Sequence, residues 1–480
     1  MWKTLVRKEL LETIFSYRFP LFAVICLLLI PLGLAVNDAA YAKRVRDYSD
    51  QVRLADEAAA AIKIQDIMAG TVAIKGFRRP APLSVFTQGF ESALPRYYEF
   101  TQDGFKPGES ASDDESILSV QGKVDFVFLV QMVISLIAML FASDMISGEK
   151  ESGTLRAILA NSVPRDSLLT GKIGGGFLAL WVPFLLAFVI GAAVLMLGAF
   201  PLAGADTAGR VLVVLLATSF FVLTYFTIGV AVSASTARAR TSLVAILIVW
   251  AAFQLILPRL GDMAARLVYP VRSETQVSLQ KSLLVHALDI ETAKELGHQW
   301  DVIFGQASQK ARDDENSPER KKWDPIRDDI QQRAKEKKSQ QLGAIDESYL
   351  QERRRQLDLA VNLSLISPSA AFARFIADVC GTGELERTRY VEAVRAHQKA
   401  LDAELFSKVK RTLMIHEGGQ MSMGFSAMPV DPSKLPKFSV APASLGETFK
   451  ANARSLISLL VWLIAPFAYA YVRFIKYDVR

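Results

Sequence analysis

Six long apolar runs dominate the choice of fold open to this chain: Phe19–Val36, Val124–Ile146, Ile173–Phe200, Val211–Val232, Thr241–Pro258 and Ser455–Val472. A helix rises about 1.5 Å per residue, so about 20 residues cross a hydrocarbon core of about 30 Å. Each run is long enough or nearly so, and together they predict a mainly α, polytopic membrane protein. In the first run, Pro20 and Pro31 and the lack of a small-x-small cleavage site favour an uncleaved span over a secretory leader.

Lys and Arg in the short connections give the orientation. Lys3, Arg7, Lys8 and Arg18 precede span one; Lys150, Arg156, Arg165 and Lys172 lie between spans two and three. Arg238 and Arg240 lie between spans four and five; Arg473, Lys476 and Arg480 follow span six. The Pro201–Gly209 connection has none. Both termini are therefore expected in the cytoplasm, at the inner (plasma) membrane of a bacterium. The expected division is a cytoplasmic interfacial helix (1–18), span one (19–36), insertion one (37–123), span two (124–146), a cytoplasmic loop (147–172), and spans three (173–200), four (211–232) and five (241–258). Insertion two (259–454), span six (455–472) and a cytoplasmic tail (473–480) complete it. The insertions fall outside and are expected to build a largely helical extracytoplasmic domain. Lys43, Arg44 and Arg46, and Arg259, Arg266 and Arg272, stand at the outer ends of spans one and five; long loops translocate largely regardless of charge, so the short loops decide.

Within the insertions, Gln51–Ala69 reads as a helix, Arg78–Leu83 as extended because of its prolines, and Lys106–Ser116 as a loop. Asp324–Leu365, with Ile326, Ile330, Ala334, Leu342, Ile345 and Leu350, predicts one or two long amphipathic helices. Asp431–Leu435 reads as a loop.

Catalytic signatures are missing. The Gly122-Lys123 and Gly171-Lys172 pairs lack the following Ser or Thr and the upstream Gly of a phosphate loop. There is no Gly-x-Ser-x-Gly elbow and no His-Glu-x-x-His run. His286, His298, His397 and His416 are scattered, which fits surface histidines rather than a zinc site. Cys26, in an apolar run, and Cys380, in a polar stretch, are not expected to pair. Despite a net charge of +6, no basic stripe interleaved with aromatics points to nucleic acid. No Asp, Glu, Lys or Arg occupies the centre of a span; Asp125 and Asp144 flank span two, and Gln254 fits an interhelical hydrogen bond. That pattern favours an energy source outside this chain, with no catalytic, cofactor or metal site within it.

Two segments carry more specific information. In Trp2–Tyr17, Trp2, Leu5, Val6, Leu10, Ile14 and Tyr17 recur at helical spacing, with Lys3, Arg7, Lys8 and Glu12 elsewhere. This predicts a helix lying in the lipid interface, broken from span one at Arg18-Phe19-Pro20. Between spans two and three, Gly148 and Gly153 permit turns, Thr154–Leu159 predicts a short helix with Leu155, Ile158 and Leu159 on one side, and Pro164 restarts the chain with Asp166 or Ser167 as cap. Gly174-Gly175-Gly176 opens span three and predicts close packing or a bend. A short, partly apolar helix held between two spans makes a lever for a docking partner.

This stretch resembles the corresponding loop of type-2 ABC exporter permeases, whose Glu-x-Glu-x-Gly-Thr-Leu pattern and later Pro and Gly-Lys fall here on Glu149, Glu151, Gly153, Thr154, Leu155, Pro164, Arg165, Gly171 and Lys172. Arg7-Lys8-Glu9-Leu10 resembles the same family's lead-in helix. Arg79–Ser84 and Ile366–Ser369 are similar to segments of a subgroup with large extracytoplasmic insertions. The resemblance implies two permease halves (homo- or heterodimer), each docking a soluble ATPase that binds ATP and Mg, with no cofactor in this chain. It implies docking through Glu149, Glu151, Gly153, Thr154, Leu155, Arg156, Ile158 and Leu159, with Trp2, Arg7, Lys8 and Glu9 on the interfacial helix beside membrane lipid. The insertions leave room for an extracytoplasmic partner. The expected function is a permease subunit that moves or extracts a substrate; an ion-coupled secondary transporter and a receptor or scaffold with an outer binding domain are the alternatives.

Overall fold

The computed structural model describes residues 2–61, 74–101, 104–108, 125–160, 163–198, 200–201, 204–307, 317–404, 409–415, 421–427 and 436–477. The parts of Gln51–Ala69 and Lys106–Ser116 beyond these ranges, Asp431–Leu435 and His416 lie outside the described residues. Among the described residues, six helices are long and apolar enough to cross a membrane, and each overlaps one of the six apolar runs. The chain is a membrane protein.

Two compact units form, Met1–Ile256 with Leu365–Arg480, and Leu257–Ser364. The first begins with α1 (Trp2–Ile14) and α2 (Arg18–Ala61), the latter continuing span one without interruption into the helix expected from Gln51 onward. Phe126–Leu129, a π-helical turn at Val130–Ile134 and Ser135–Ala142 form α3. Next come α4 (Ser147–Glu151), α5 (Thr154–Ala160), α6 (Arg165–Leu197), α7 (Ala205–Ser235) and α8 (Ala239–Ala251), which runs into a second π-helical turn at Ala252–Ile256.

Small residues set the helix spacing, as expected where lipid supplies no hydrophobic drive between helices. A Cβ on Gly191 of α6 would come within 2.6 Å of Leu34 of α2, and one on Gly229 of α7 within 2.7 Å of Ala142 of α3. Several polar side chains between the spans are matched: Tyr225 Oη donates to Gln254 Oε1 at 3.0 Å, the interhelical bond expected of Gln254. Trp181 Nε1 donates to Ser219 at 3.0 Å, and Trp250 Nε1 to Ser135 at 2.9 Å.

The second unit consists of α9 (Leu257–Val268), α10 (Glu274–Phe304) and α11 (Pro318–Ser364). The stretch expected as one or two amphipathic helices is one, α11, of 47 residues. Gly261 of α9 lets that helix lie against Ala360 and Ser364 of α11, and a Cβ there would stand 2.9 Å from the Ser364 nitrogen. Ion pairs Lys281–Asp346 (2.5 Å) and Lys337–Glu291 (2.8 Å) line α10 and α11.

The remainder of insertion two returns to the first unit. α12 (Pro368–Val379) is buried: Pro368, Ala371, Phe372, Phe375, Ile376 and Val379 are all buried, the last five in the same core as the spans. Phe372 stacks on Phe221 of α7 with ring centroids 4.2 Å apart. Its N-terminal end meets both π-helical turns. Ser367 and Ser369 donate to the Phe253 carbonyl at 2.6 and 2.9 Å, and Gln131 Nε2 donates to the Ser369 carbonyl at 2.7 Å. A π turn disturbs the regular backbone ladder, which makes a carbonyl such as that of Phe253 accessible to a neighbour. α12 ends at Cys380, which despite its polar sequence surroundings is buried.

The insertions are largely helical, as expected, but they also contain strands. An antiparallel sheet of order β1-β2-β3, from Ile74–Phe77, Tyr97–Thr101 and Gly104–Pro107, comes from insertion one. It shares a core with α13 (Glu384–Glu404) from insertion two, through Leu94, Phe100, Tyr390, Val394, Leu401 and Phe438. The extended Arg78–Leu83 stretch holds only to Ala81; Pro82 begins a short 3-10 turn, Pro82–Val85, because its fixed φ suits a first helical position. β4 (Val409–Ile415) and β5 (Met421–Ala427) form a separate hairpin. After α14 (Leu445–Ala451), α15 (Ala453–Ile475) supplies the last span.

His286 and His298 are exposed as expected, but His397 is buried between Phe100 and Phe438, with ring centroids 4.7 and 5.4 Å away. Burial pushes its pKa below the ordinary histidine value of 6.5. The unfolded chain then binds a proton at a higher pH than the folded one, so this contribution to stability is complete above about pH 6.5 and is lost as pH falls through the depressed folded value. Unfolding of the β1–β3/α13 module, followed by hydrogen exchange, should become easier from about pH 7 to pH 5, and His397→Leu should flatten that dependence.

Candidate functional site

The stretch between spans two and three folds as a rigid elbow. α4 starts where α3 ends, and its first amides are capped from another helix: Ser233 Oγ of α7 accepts from the Ile146 and Ser147 nitrogens at 3.1 and 3.0 Å. Gly148 lies inside α4 rather than at a turn. Gly153 makes the turn to α5, with φ at +76°, a region that side-chain-bearing residues rarely adopt. Pro164 is itself the N-cap of α6, so Asp166 falls in the helix's first turn instead of capping it.

Lys172 holds the elbow together. Its side chain is only 2% exposed, and its Nζ donates to Glu9 Oε1 of α1 at 2.7 Å and Glu149 Oε1 of α4 at 2.8 Å. One ammonium thus joins α1, α4 and α6. The approach is possible because α6 presents glycines to α1. A Cβ on Gly171 would meet Leu5 at 2.9 Å, and one on Gly175 would meet the Val6 carbonyl at 2.7 Å. The glycine stretch is therefore a packing surface. Leu5 and Val6, expected to face lipid, are partly buried on α6, while Trp2, Arg7, Lys8 and Leu11 stay exposed.

Neighbouring contacts fix the rest of this face. Arg18 at the base of α2 pairs with Asp144 at 3.1 Å. Lys150 Nζ donates to the carbonyls of Ala234 and Thr236 at the C-terminal end of α7, and lies 5.4 Å from the Tyr477 ring. Glu151 Oε2 accepts from the Ala239 nitrogen at 2.9 Å, at the start of α8. Arg165 Nη1 donates to the carbonyls of Ile475 and Tyr477.

The elbow residues divide accordingly. Glu149, Glu151 and Gly153 shape it, and Leu155 is wholly buried as the anchor of α5. Ile158 and Leu159 are half-buried against the same core. Thr154, Arg156 and Ala160 face outward. Sequence reasoning missed Lys172 as the hub, and Lys150 and Ser233 as braces. The available signal was a lone Lys followed at once by an apolar run, with Glu9 on a helix that needed a packing surface. Among the described residues, no group of three or more His, Cys, Asp or Glu could hold a metal ion.

Six candidate spans, a lead-in helix packed on the third and a short helix offered between the second and third define a polytopic permease architecture. The chain belongs to the ABC-2 transporter family: the profile described as ABC-2 family transporter protein matches residues 3–479. No curated protein matches it. Its family makes it a permease subunit of an ABC transporter and implies a separate ATPase partner.

Replacing Lys172 with Met takes the shared cation from the buried Glu9 and the half-buried Glu149. Removing one partner of a buried ion pair costs about 3–5 kcal/mol. Lys172→Met should lower the unfolding temperature of the purified protein, and trypsin should cut more readily at Arg7 and Lys8 as α1 loosens.

Proposed function

We propose that this chain is the force-receiving half of an ATP-driven exporter or extraction complex, and that α5 is the surface its ATPase pushes. The observation that carries this reading is the Lys172 junction. A helix that only connected two spans would need no buried cation bonded to two other helices. Here α5 is anchored by Leu155, its base is tied through Glu149 to α1 and α6, and Thr154 and Arg156 are presented to solvent.

In this mechanism the ATPase carries the nucleotide chemistry, with ATP and Mg bound there. Closure of its subunits displaces α5. The braces from Lys150, Glu151, Arg18 and Arg165 pass that displacement to the ends of the spans instead of letting the loop absorb it. Two permease halves face each other in the bilayer, both termini and the elbow lie in the cytoplasm, and the membrane is a bacterial inner membrane. The positive short loops support that orientation. The insertions stand outside, where they contact substrate or an outer partner protein.

The structure narrows the choice of variant. Reversing Glu149 or Glu151 would damage the elbow itself, whereas Arg156 is exposed and its charge serves no described contact in the elbow. Arg156→Glu should reduce co-purification of the ATPase at least about tenfold while leaving unfolding temperature unchanged; one lost charge-assisted contact of about 1.5–3 kcal/mol corresponds to such a factor or more. Full retention of the ATPase by both Arg156→Glu and a Thr154→Trp variant that blocks the same face would refute docking at α5.

A further inference from the structure

α10 has two apolar seams on opposite sides, and only one has a partner. Val277 and Leu288 are buried, with Leu284, Val285 and Leu296 half-buried on or near the side packed on α11; the seam line itself is covered only at its far end, where Phe304 is buried against Trp300 and Trp323. On the other side Leu279, Leu283 and Ile290 are 58%, 61% and 44% exposed. His286, Ala293 and Gly297 complete that side and are also exposed. The residues 279, 283, 286, 290, 293 and 297 alternate in steps of four and three. At about 100° per residue they fall within roughly a quarter of the helix circumference. This is the a/d pattern of a coiled-coil seam, not a single exposed leucine of the kind surfaces tolerate. A Cβ on Gly297 would have nothing within 4 Å, so the narrow end of the seam is open to a close neighbour.

We propose that this seam pairs in parallel with the same seam of a second copy of the chain, forming a two-stranded coiled coil outside the membrane. The charges beside the seam favour this occupant. With Leu283 and Ile290 at a and Leu279, His286 and Ala293 at d, Asp289 falls at g and Lys294 at e. In a parallel, in-register pair, g of one chain faces e of the next heptad of the other, which sets Asp289 opposite Lys294 of the copy. Asp289 is exposed and has only a 3.4 Å contact to Lys338 of its own hairpin; Lys294 is exposed. An antiparallel pair would lose that match.

The seam covers about 27 Å, short for a free coiled coil. Anchoring both chains in one membrane raises their effective concentration, so a short seam suffices. Acyl chains are the poorer fit, because Asp289, Glu291, Lys294 and Glu295 crowd the same helix and α10 contains no candidate span. The inference rests on the pairing of two permease halves proposed above, and not on the ATPase.

Cysteine cross-linking of the full-length protein in its membrane tests it. The native Cys26 and Cys380 are both buried, which keeps background low. Facing a or d positions bring Cα atoms within the roughly 4.4–6.8 Å a disulfide spans. Leu283→Cys and Ile290→Cys should each give a linked species of twice the chain mass under mild oxidation, at least about tenfold above Glu295→Cys on the α11 side. In the Ile290→Cys background, Asp289→Lys should cut the yield several-fold, and adding Lys294→Asp should restore it, although the Lys338 contact stays lost. No dimer at either seam position, equal linking at Glu295, a product of any other mass or no restoration by the charge swap would each overturn the proposal. Partner ATPase stimulation, measured on the same variants, reports on the function separately: absent seam linking with stimulation intact sinks the seam alone.

Discussion

A single ammonium group decides how the elbow face is built. Lys172 lies in the second turn of α6, almost without solvent, and is held by two carboxylates from other helices. A buried lysine in an apolar bundle is tolerated only when its charge is answered locally. That requirement dictates where α1 must lie and how α4 must turn. The glycines at 171 and 175 allow the approach, and Glu9 and Glu149 supply the charge. With α1 and α4 held, Gly153 and the buried Leu155 leave α5 one position to occupy.

The same rule operates deeper in the bundle. α12 carries the polar groups of its first turn into a region with few partners. Two π-helical turns, at Val130–Ile134 and Ala252–Ile256, stand where those partners are needed, through Gln131, Phe253 and the Ser367–Ser369 pair. Within a span, irregular backbone is tolerated only where other protein groups cover it. Here the irregularity of the spans and the presence of α12 explain each other.

The spans were legible because hydropathy over about 20 residues is a strong, local signal. The short helix after Gly153 was legible for a similar reason, since a glycine, a proline and three apolar residues all lie close together along the chain. What was hidden depends on contacts between distant residues. Glu9 and Lys172 are 163 positions apart, and nothing local marks either as half of a pair. α12 is 12 residues long, too short to stand out as part of the span core, and its serines resemble surface residues until the Phe253 carbonyl is seen beside them. His397 was expected at the surface because the aromatic pocket around it is assembled from β2, α13 and Phe438, three separate stretches of chain.

α2 has 44 residues, about 66 Å of helix, so span one and the first part of insertion one are one rod. Its foot is bolted to the elbow through Arg18 and Asp144, while Arg44, much further along, donates to Ser84 at 2.9 Å. Such a rod multiplies movement. A rocking of about 5° about its foot would carry the tip sideways by roughly 6 Å over that length, simply from the helix rise. Gearing of this kind needs no signal relayed residue by residue through the bundle: any tilt at the elbow end of the bar would swing the far end, where Arg44 meets Ser84.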